Sequence, residues 1–507
     1  DMEKAVARIK QAKMNNEKIT IFGDYDVDGA TSSSLLYLLF QKIGIECDYY
    51  IPDREHEGYG LSKSGISTIQ DDGSSLIITC DCGISAIEEV DYANKIGIDI
   101  IITDHHTVGE DLPDAYAVIN PKQSACNYPF PYLAGVGVAF KLAEALSQDF
   151  KLAQNSLNEL LDLVAIGTAA DIVEMSGENR ILVAEGLKQI KDTKNPGIRE
   201  LLKITGLNDA QRLSVSDIVF RISPRLNAAG RIASASLAVN LLTTKSRVNA
   251  HQLATHLEKL NSKRRSIEDK TINDALIQLK SNYNPENDKL FLLYKKDWHK
   301  GVLGIVASKL IDKYKRPAIM ISVDKDDIGV GSARSIPGFD IYQVLSKCEN
   351  ELENFGGHPR AAGLTVSKYN IESLKEHLTE IAEDQITENM LTPTLEIDSV
   401  IKFSEINQRT ISILKKLSPF GPKNMKPVFV AQNVSVSGIP RIVGKNHLKF
   451  RAIQNKIVIS AIGWKLANLY EMLISNRPLD IAFVIEENKY NGMKEIQLNI
   501  KDIKYAD

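Results

Sequence analysis

At 507 residues the chain is too long for one hydrophobic core, so two to four domains are expected. Its 43% apolar and 25% charged residues are ordinary for a soluble globular protein, and 31 Gly with 17 Pro exclude collagen-like or Pro-rich disorder. A formal net charge of −4 argues against indiscriminate polyanion binding by the chain as a whole.

The first 120 or so residues alternate strand and helix patterns. Strands are expected at Lys18–Gly23, Glu46–Ile51, Ser75–Cys80, Ile98–Thr103 and Tyr116–Ile119, with helices at Ala30–Ile43, Ser64–Gln70 and Ala86–Lys95 between them. Such alternation predicts βαβ units and a mainly parallel sheet. Helical patterns dominate from Val138 to about Lys191. From Ser234 to about Ser281 neither Gly nor Pro interrupts the chain, which predicts a long helix or helix pair acting as a spacer. A second α/β set follows: strands at Leu290–Tyr294, Ala318–Val323 and Ile328–Ala333, and a helix at Val302–Lys313. Beyond Leu391 come short strands with turn signals, at Val428–Ala431, Val434–Ser437, Leu448–Ala452, Ile457–Ile462, Ile481–Glu486 and Ile496–Ile500, the pattern of a small β-barrel.

The average charge hides an asymmetry. Residues 401–466 hold twelve basic side chains and one acid, Glu405, a net +11 on a remainder of −15. A basic module on an acidic body suits a polyanion-binding attachment, although a solvated basic face would read the same way. No run approaches the roughly 18 apolar residues of a membrane span, and no signal peptide pattern opens the chain. The start at Asp1 points to a trimmed or preceding segment. Five cysteines do not make a disulfide framework, so a cytoplasmic location is expected.

The chemistry concentrates at strand ends. After the first strand comes Gly23-Asp24-Tyr25-Asp26-Val27-Asp28-Gly29, after the third Asp81 in Thr79-Cys80-Asp81-Cys82-Gly83, and after the fourth Asp104-His105-His106. Singly these fit a solvated loop, a helix cap or a surface His pair, and a Ca²⁺ loop lacks its downstream Glu. Together they occupy the carboxyl ends of successive strands, where open α/β sheets bind ligands, and carboxylates this close repel one another unless a cation lies between them. Carboxylate and imidazole donors favour Mn²⁺ or Mg²⁺, with Cys80 and Cys82 as buried flanks of Asp81. Enough carboxylates are present for two ions and hence for phosphoester or phosphoanhydride hydrolysis.

These motifs look like the signature of the DHH phosphoesterase superfamily, and Ala165-Ile166-Gly167-Thr168-Ala169-Ala170-Asp171-Ile172-Val173 resembles its next motif. Ser223-Pro224-Arg225-Leu226-Asn227-Ala228-Ala229-Gly230-Arg231, Asp297-Trp298-His299-Lys300-Gly301-Val302-Leu303-Gly304 and Gly356-Gly357-His358-Pro359-Arg360-Ala361-Ala362-Gly363 are similar to segments of the RecJ family of single-strand-specific DNA exonucleases. The resemblance spans nearly the whole chain, in the family's motif order. It implies that Asp24, Asp26, Asp28, Asp81, His105 and Asp171 hold two divalent ions, Mn²⁺ or Mg²⁺. Asp81 would bridge them, Asp24 could act one shell out, and His106 would contact the scissile phosphate. It also implies removal of 5′-mononucleotides from a 5′ end of single-stranded DNA in recombination and repair. The expected setting is a monomer working beside single-strand-binding protein and a helicase, with no membrane role.

Substrate contacts follow from the same likeness. In Gly329-Val330-Gly331-Ser332-Ala333-Arg334-Ser335, glycines allow close backbone approach and an Arg can pair a phosphate. Gly356-Gly357-His358 reads as a flexible turn. The match to the DHHA1 domain makes Ser332, Arg334, Gly357 and His358 phosphate contacts, with Asn227 and Arg231 as further ones. Arg54 and Tyr59 are expected to bind the terminal phosphate and stack on the terminal base. In the barrel, an OB-fold by this reading, Arg441, Lys445, Lys449 and Arg451 cluster on one hairpin as strand contacts, while Phe429, Phe450 and Trp464 suit either stacking or core.

The expected architecture is α/β and multidomain: a DHH parallel-sheet domain at 1–195, a helical connector at 196–285, a DHHA1 domain at 286–388 and an OB-type barrel at 389–507. Nano-RNases, cyclic-dinucleotide phosphodiesterases and pyrophosphatases of the superfamily need only the first two kinds of catalytic domain, so the connector and barrel argue against them. A non-catalytic scaffold is disfavoured by the intact aspartates and histidines.

Overall fold

The structure, a computed structural model, describes residues 1–53, 57–58, 60–210, 212–490 and 493–506. The chain divides into two compact units, residues 1–171 with 185–393, and residues 172–184 with 394–507.

The first unit opens with a five-stranded sheet of β1 (Lys18–Gly23), β2 (Cys47–Tyr50), β3 (Ser74–Cys80), β4 (Asp99–Thr103) and β5 (Ala117–Ile119), all parallel, in the order β2-β1-β3-β4-β5. The predicted strands are present to within one residue or so at each end. Both faces of a parallel sheet are covered, so its strands are almost wholly apolar; Ile100, Ile101 and Ile102 are all fully buried. Strand order reverses between β1 and β3, which opens a crevice at their carboxyl ends.

The helix Val27–Ile43 starts at that crevice, three residues before the apolar periodicity suggests. Its first turns carry Ser32, Ser33 and Ser34, all buried. Each hydroxyl donates to the carbonyl four residues back, at 2.6, 2.8 and 2.7 Å, so these polar side chains enter the interior hydrogen-bonded.

The predicted helix pair is Ser236–Thr243 followed by Arg247–Asn282, 36 residues N-capped by Ser246. At 1.5 Å per residue the second spans about 54 Å. A second sheet comprises β6 (Phe291–Lys296), β7 (Ala318–Val323), β8 (Ile328–Arg334), β9 (Asn354–His358) and β10 (Ala361–Ser367), in the order β6-β7-β8-β10-β9. Only β6 and β7 are parallel. One face packs on helices Ile341–Lys347 and Ile371–Gln385, the other on Leu303–Tyr314 and the end of the long helix. One expectation is corrected here: Gly356-Gly357-His358 is not a flexible turn but part of edge strand β9, with Gly357 opposite Ala362 and His358 opposite Ala361. The turn proper is Pro359-Arg360. Gly357 has φ +146°, and a Cβ there would lie 2.4 Å from the Ala361 carbonyl oxygen, so only glycine fits this close crossing.

The second unit carries β11 (Ser399–Val400), β12 (Phe429–Val436), β13 (Arg441–Val443), β14 (His447–Gln454), β15 (Ile457–Gly463), β16 (Leu479–Tyr490) and β17 (Met493–Tyr505). Their order is β11-β12-β16-β17-β15-β14-β13, and β12 also reaches β14 through two residue pairs, giving an OB-like, incompletely closed barrel. Two expected strands, Val428–Ala431 and Val434–Ser437, are one strand with a bulge, because Asn433 adopts a left-handed φ of 54°. No helix among the described residues is long and apolar enough to cross a membrane.

Candidate metal centre and nucleotide cleft

The acidic residues converge at the β1/β3 crevice. Asp26 caps the helix Val27–Ile43, accepting from the backbone N–H of Asp28 at 2.8 Å and of Gly29 at 3.0 Å. Asp28, in the first turn, accepts from the N–H groups of Gly135 (2.7 Å) and Val136 (2.9 Å) at the start of helix Gly135–Asp149. The positive end of a second helix thus holds this carboxylate in place. Asp81 follows β3 in a left-handed conformation, φ 64°, rare for a side chain that is not glycine and found where surroundings enforce it. Asp171 caps the C-terminus of helix Leu161–Ala170.

His105 Nε2 lies 3.1 Å from Asp81 Oδ1 and 3.5 Å from Asp171 Oδ2. Both its ring nitrogens and Asp171 Oδ2 are buried with no hydrogen-bond partner. Donor atoms of Asp28, His105 and Asp171 lie within 4.8 Å of one another, as do those of Asp24, Asp26 and Asp81, and those of Asp81, His105 and His106. Burial, and then repulsion by Asp171, raises the Asp28 carboxyl well above its usual range; burial, then Asp28 and its neighbours, does the same to Asp81. Asp26 is raised by burial and Asp171, against the pull of its two N–H donors. Burial lowers His105, favouring the neutral ring that ligates metals. Carboxylates this crowded and lone pairs left unsatisfied fit divalent cations.

Asp104 is the residue the sequence reasoning passed over. Its Oδ1 accepts from the His105 and His106 N–H groups (2.7 and 3.0 Å) and meets His106 Nδ1 at 2.7 Å, while Oδ2 accepts from Ile84 N–H at 3.0 Å. Oδ1 orients the pair, and Oδ2 ties it to the loop after β3. Burial pulls the His106 pKa down, but the hydrogen bond and charge of Asp104 outweigh it, and the net shift is upward. For Asp104 itself burial acts upward, and the His106 contacts reverse this to a net lowering. A carboxylate adjoining a histidine that faces a metal cluster was the available signal.

Beside the cluster a cleft of about 910 Å³ opens, lined by Tyr25, Arg231, His299, Ser332, Arg334 and Phe355 among others. Ser332 and Arg334 stand two apart on β8 and share a face. Arg334 Nη1 donates to Ser332 Oγ at 3.0 Å and to the Ala333 carbonyl at 2.8 Å; Arg231 Nη1 donates to the Gly301 carbonyl at 3.1 Å. Gly357 also lines the cleft. Asn227 and His358 do not; the first is half-buried on helix Ser223–Ile232 and the second is exposed. None of the six expected ligands lines the cleft, but Tyr25, between Asp24 and Asp26 in the chain, does. Arg54 and Tyr59 lie outside the described residues. In the barrel, Arg441 on β13 pairs in register with Lys449 on β14, and Arg441, Lys445, Lys449 and Arg451 are all exposed. Phe450 is core, Phe429 is packed against the core, and Trp464 is 54% exposed.

A parallel sheet whose switch point gathers aspartates and a histidine, beside a cleft that a second α/β domain helps to line, defines a DHH-type metal-dependent phosphoesterase. The profile of the DHH family N-terminal domain matches residues 18–168, that of the DHHA1 domain residues 287–387, and that of the RecJ OB domain residues 397–502. The single-stranded-DNA-specific exonuclease RecJ of Dickeya dadantii is 36% identical, over 98% of this chain and 89% of its own length. Its Bacillus subtilis counterpart is 40% identical over 100% of this chain, which spans 64% of that relative. The crystal structure of RecJ with Mn²⁺ from Thermus thermophilus superposes with a TM-score of 0.85 at 26% identity, covering 100% of this chain and 72% of that one. A RecJ structure bound to manganese matches 75% of this chain and 94% of its own at 32% identity, TM-score 0.67. The chain belongs to the RecJ family.

Proposed function

We propose that the chain is a 5′→3′ exonuclease that degrades single-stranded DNA to 5′-mononucleotides. The observation that carries this is the adjacency of a buried carboxylate–imidazole cluster to a cleft that Arg334 and Ser332 line. Asp24, Asp26, Asp28, Asp81, His105 and Asp171 would hold two divalent ions, Mn²⁺ or Mg²⁺. When bound, such a pair activates a water and stabilises the leaving oxygen of a phosphodiester displacement.

The chain's own residues do the rest. His106, held by Asp104 and with its pKa raised by that contact, donates to the scissile phosphate and offsets charge growing on its oxygens. Arg334 and Arg231 pair phosphates along the cleft, Ser332 donates to one, and Gly357 lets the backbone approach. Asn227 and His358, outside the cleft lining, are further phosphate contacts. Arg54 and Tyr59 select the 5′ end. Residues 389–507, through Arg441, Lys445, Lys449 and Arg451, track the strand by charge. The protein acts as a cytoplasmic monomer, in recombination and repair, on strands exposed by a helicase and coated by single-strand-binding protein.

The test uses an internally labelled oligonucleotide blocked at either its 5′ or its 3′ end, incubated with Mn²⁺, Mg²⁺ or chelator, beside Asp81→Ala. Metal-dependent mononucleotides that vanish only with a blocked 5′ end, and in the variant, are expected. Binding without product under every ion would overturn the reading.

A further inference from the structure

On the side of the second sheet covered by the helices Ile341–Lys347 and Ile371–Gln385, three side chains from separate segments converge. Cys348 ends the helix Ile341–Lys347, Glu351 closes the short turn Glu349–Glu351, and His377 lies in the helix Ile371–Gln385. One donor atom from each falls within 4.8 Å of the other two. His377 Nδ1 stands 3.2 Å from Glu351 Oε1. Two light donors at about 2.0 Å from a tetrahedral Zn²⁺ are themselves about 3.3 Å apart, so that edge is already set.

An imidazole–carboxylate hydrogen bond alone leaves part of the geometry unexplained. Glu351 Oε2 is buried with no hydrogen-bond partner, although the side chain as a whole is 19% exposed. Cys348 is fully buried beside it. A cysteine nucleophile is ruled out, because burial, and then the Glu351 charge, pushes the thiol up to about 12 and no substrate reaches it. Sulfur, imidazole and carboxylate together are a donor set for a borderline-soft ion, unlike the oxygen-rich cluster at the crevice. His377 is 37% exposed, which gives solvent access to a fourth position.

We propose that Cys348, Glu351 and His377 bind one Zn²⁺-class ion, with water as the fourth ligand. The site clips the helix Ile371–Gln385 to the segment entering β9. As an edge strand β9 is held by β10 on one side only, and it carries Phe355 and Gly357 into the cleft. Occupancy therefore steadies one wall of that cleft from behind.

The experiment titrates the full-length chain with Co²⁺ in excess Mg²⁺, which fills the oxygen-rich cluster. One equivalent is expected to produce a sulfur-to-cobalt charge-transfer band and tetrahedral d–d bands, displaced by Zn²⁺. The band should survive Asp81→Asn and disappear in Cys348→Ser. His377→Gln, at a partly exposed position that leaves folding intact by circular dichroism, should weaken Co²⁺ by more than the roughly 10–100-fold that losing an outer-shell partner costs. No charge-transfer band in the wild type, or a band that persists in Cys348→Ser, overturns the proposal; so does unchanged affinity in His377→Gln. Each readout is independent of nuclease activity.

Discussion

Gly135→Ala tests whether the crevice is held to sub-ångström tolerance. A Cβ at this position would lie 2.6 Å from Asp81 Oδ1 and 2.7 and 2.8 Å from its Cβ and Cγ. Ordinary contact begins near 3.4 Å, so Asp81 or the start of the helix Gly135–Asp149 must retreat by about 0.8 Å. Asp81 has no slack, being 2% exposed on a left-handed backbone, and the same helix start donates to Asp28 at 2.7 and 2.9 Å. A misplacement near 1 Å costs on the order of 10²-fold in rate, equivalent to about 2.7 kcal/mol of barrier. Stability should change far less, because Ala improves helix propensity by up to about 1 kcal/mol and offsets part of an overpacking cost of about 1–3 kcal/mol. The assay is turnover of the end-labelled single strand, with Mn²⁺ affinity followed by electron paramagnetic resonance and folding by thermal melting. A variant that turns over and binds Mn²⁺ like the wild type would refute the reasoning.

Three other outcomes are expected. Asp162 is buried against Thr193, and burial raises its carboxyl to about 6. A raised acid contributes stability that is complete below its unfolded pKa near 4 and is lost as pH rises through 6. Relative to wild type, Asp162→Asn should therefore gain about 3 kcal/mol between pH 4 and 8 in denaturant titrations; a pH-independent difference would rule this out. Glu268, 5% exposed, joins Arg264 on its own helix to Lys309 on the helix Leu303–Tyr314; Arg264 keeps Asn261 as a hydrogen-bond partner but loses its counter-charge, so Glu268→Ala should cost about 1–3 kcal/mol. A melting curve like that of the wild type would contradict it. Lys449→Ala should reduce the slope of log affinity against log salt by about 0.7 for a single strand while leaving kcat unchanged, and an unaltered slope removes Lys449 from the contact surface.

The parallel sheet was legible because its inner strands are apolar runs bounded by breakers, and burial on both faces demands such runs; the edge strand β2, Cys47-Asp48-Tyr49-Tyr50, is the exception. The crevice was legible because its motifs sit at strand ends. What escaped depends on geometry that spacing does not encode. Asp104 is one motif residue among three until the folded loop turns both its oxygens toward N–H donors. Gly356-Gly357 carries the composition of a turn, and only pairing with β10 makes it a strand. The bulge at Asn433 joins two apparent strands into one. Cys348, Glu351 and His377 are scattered along the chain, and the packing of one helix brings them together.

The second compact unit is discontinuous in the chain, since residues 172–184 belong with 394–507. Met175 N–H donates to the Pro422 carbonyl at 2.7 Å, and Arg180 Nη2 to the Lys416 carbonyl at 2.8 Å. During synthesis the early piece must wait for its acceptors, roughly 12–50 s at about 5–20 residues per second. The same interleaving governs dissection by expression or limited proteolysis: a fragment starting at Thr394 lacks these donors, and one ending at Pro393 carries them with nothing to meet. The barrel is thus an appendage by fold but not by chain, and swapping it between relatives requires exchanging both pieces together.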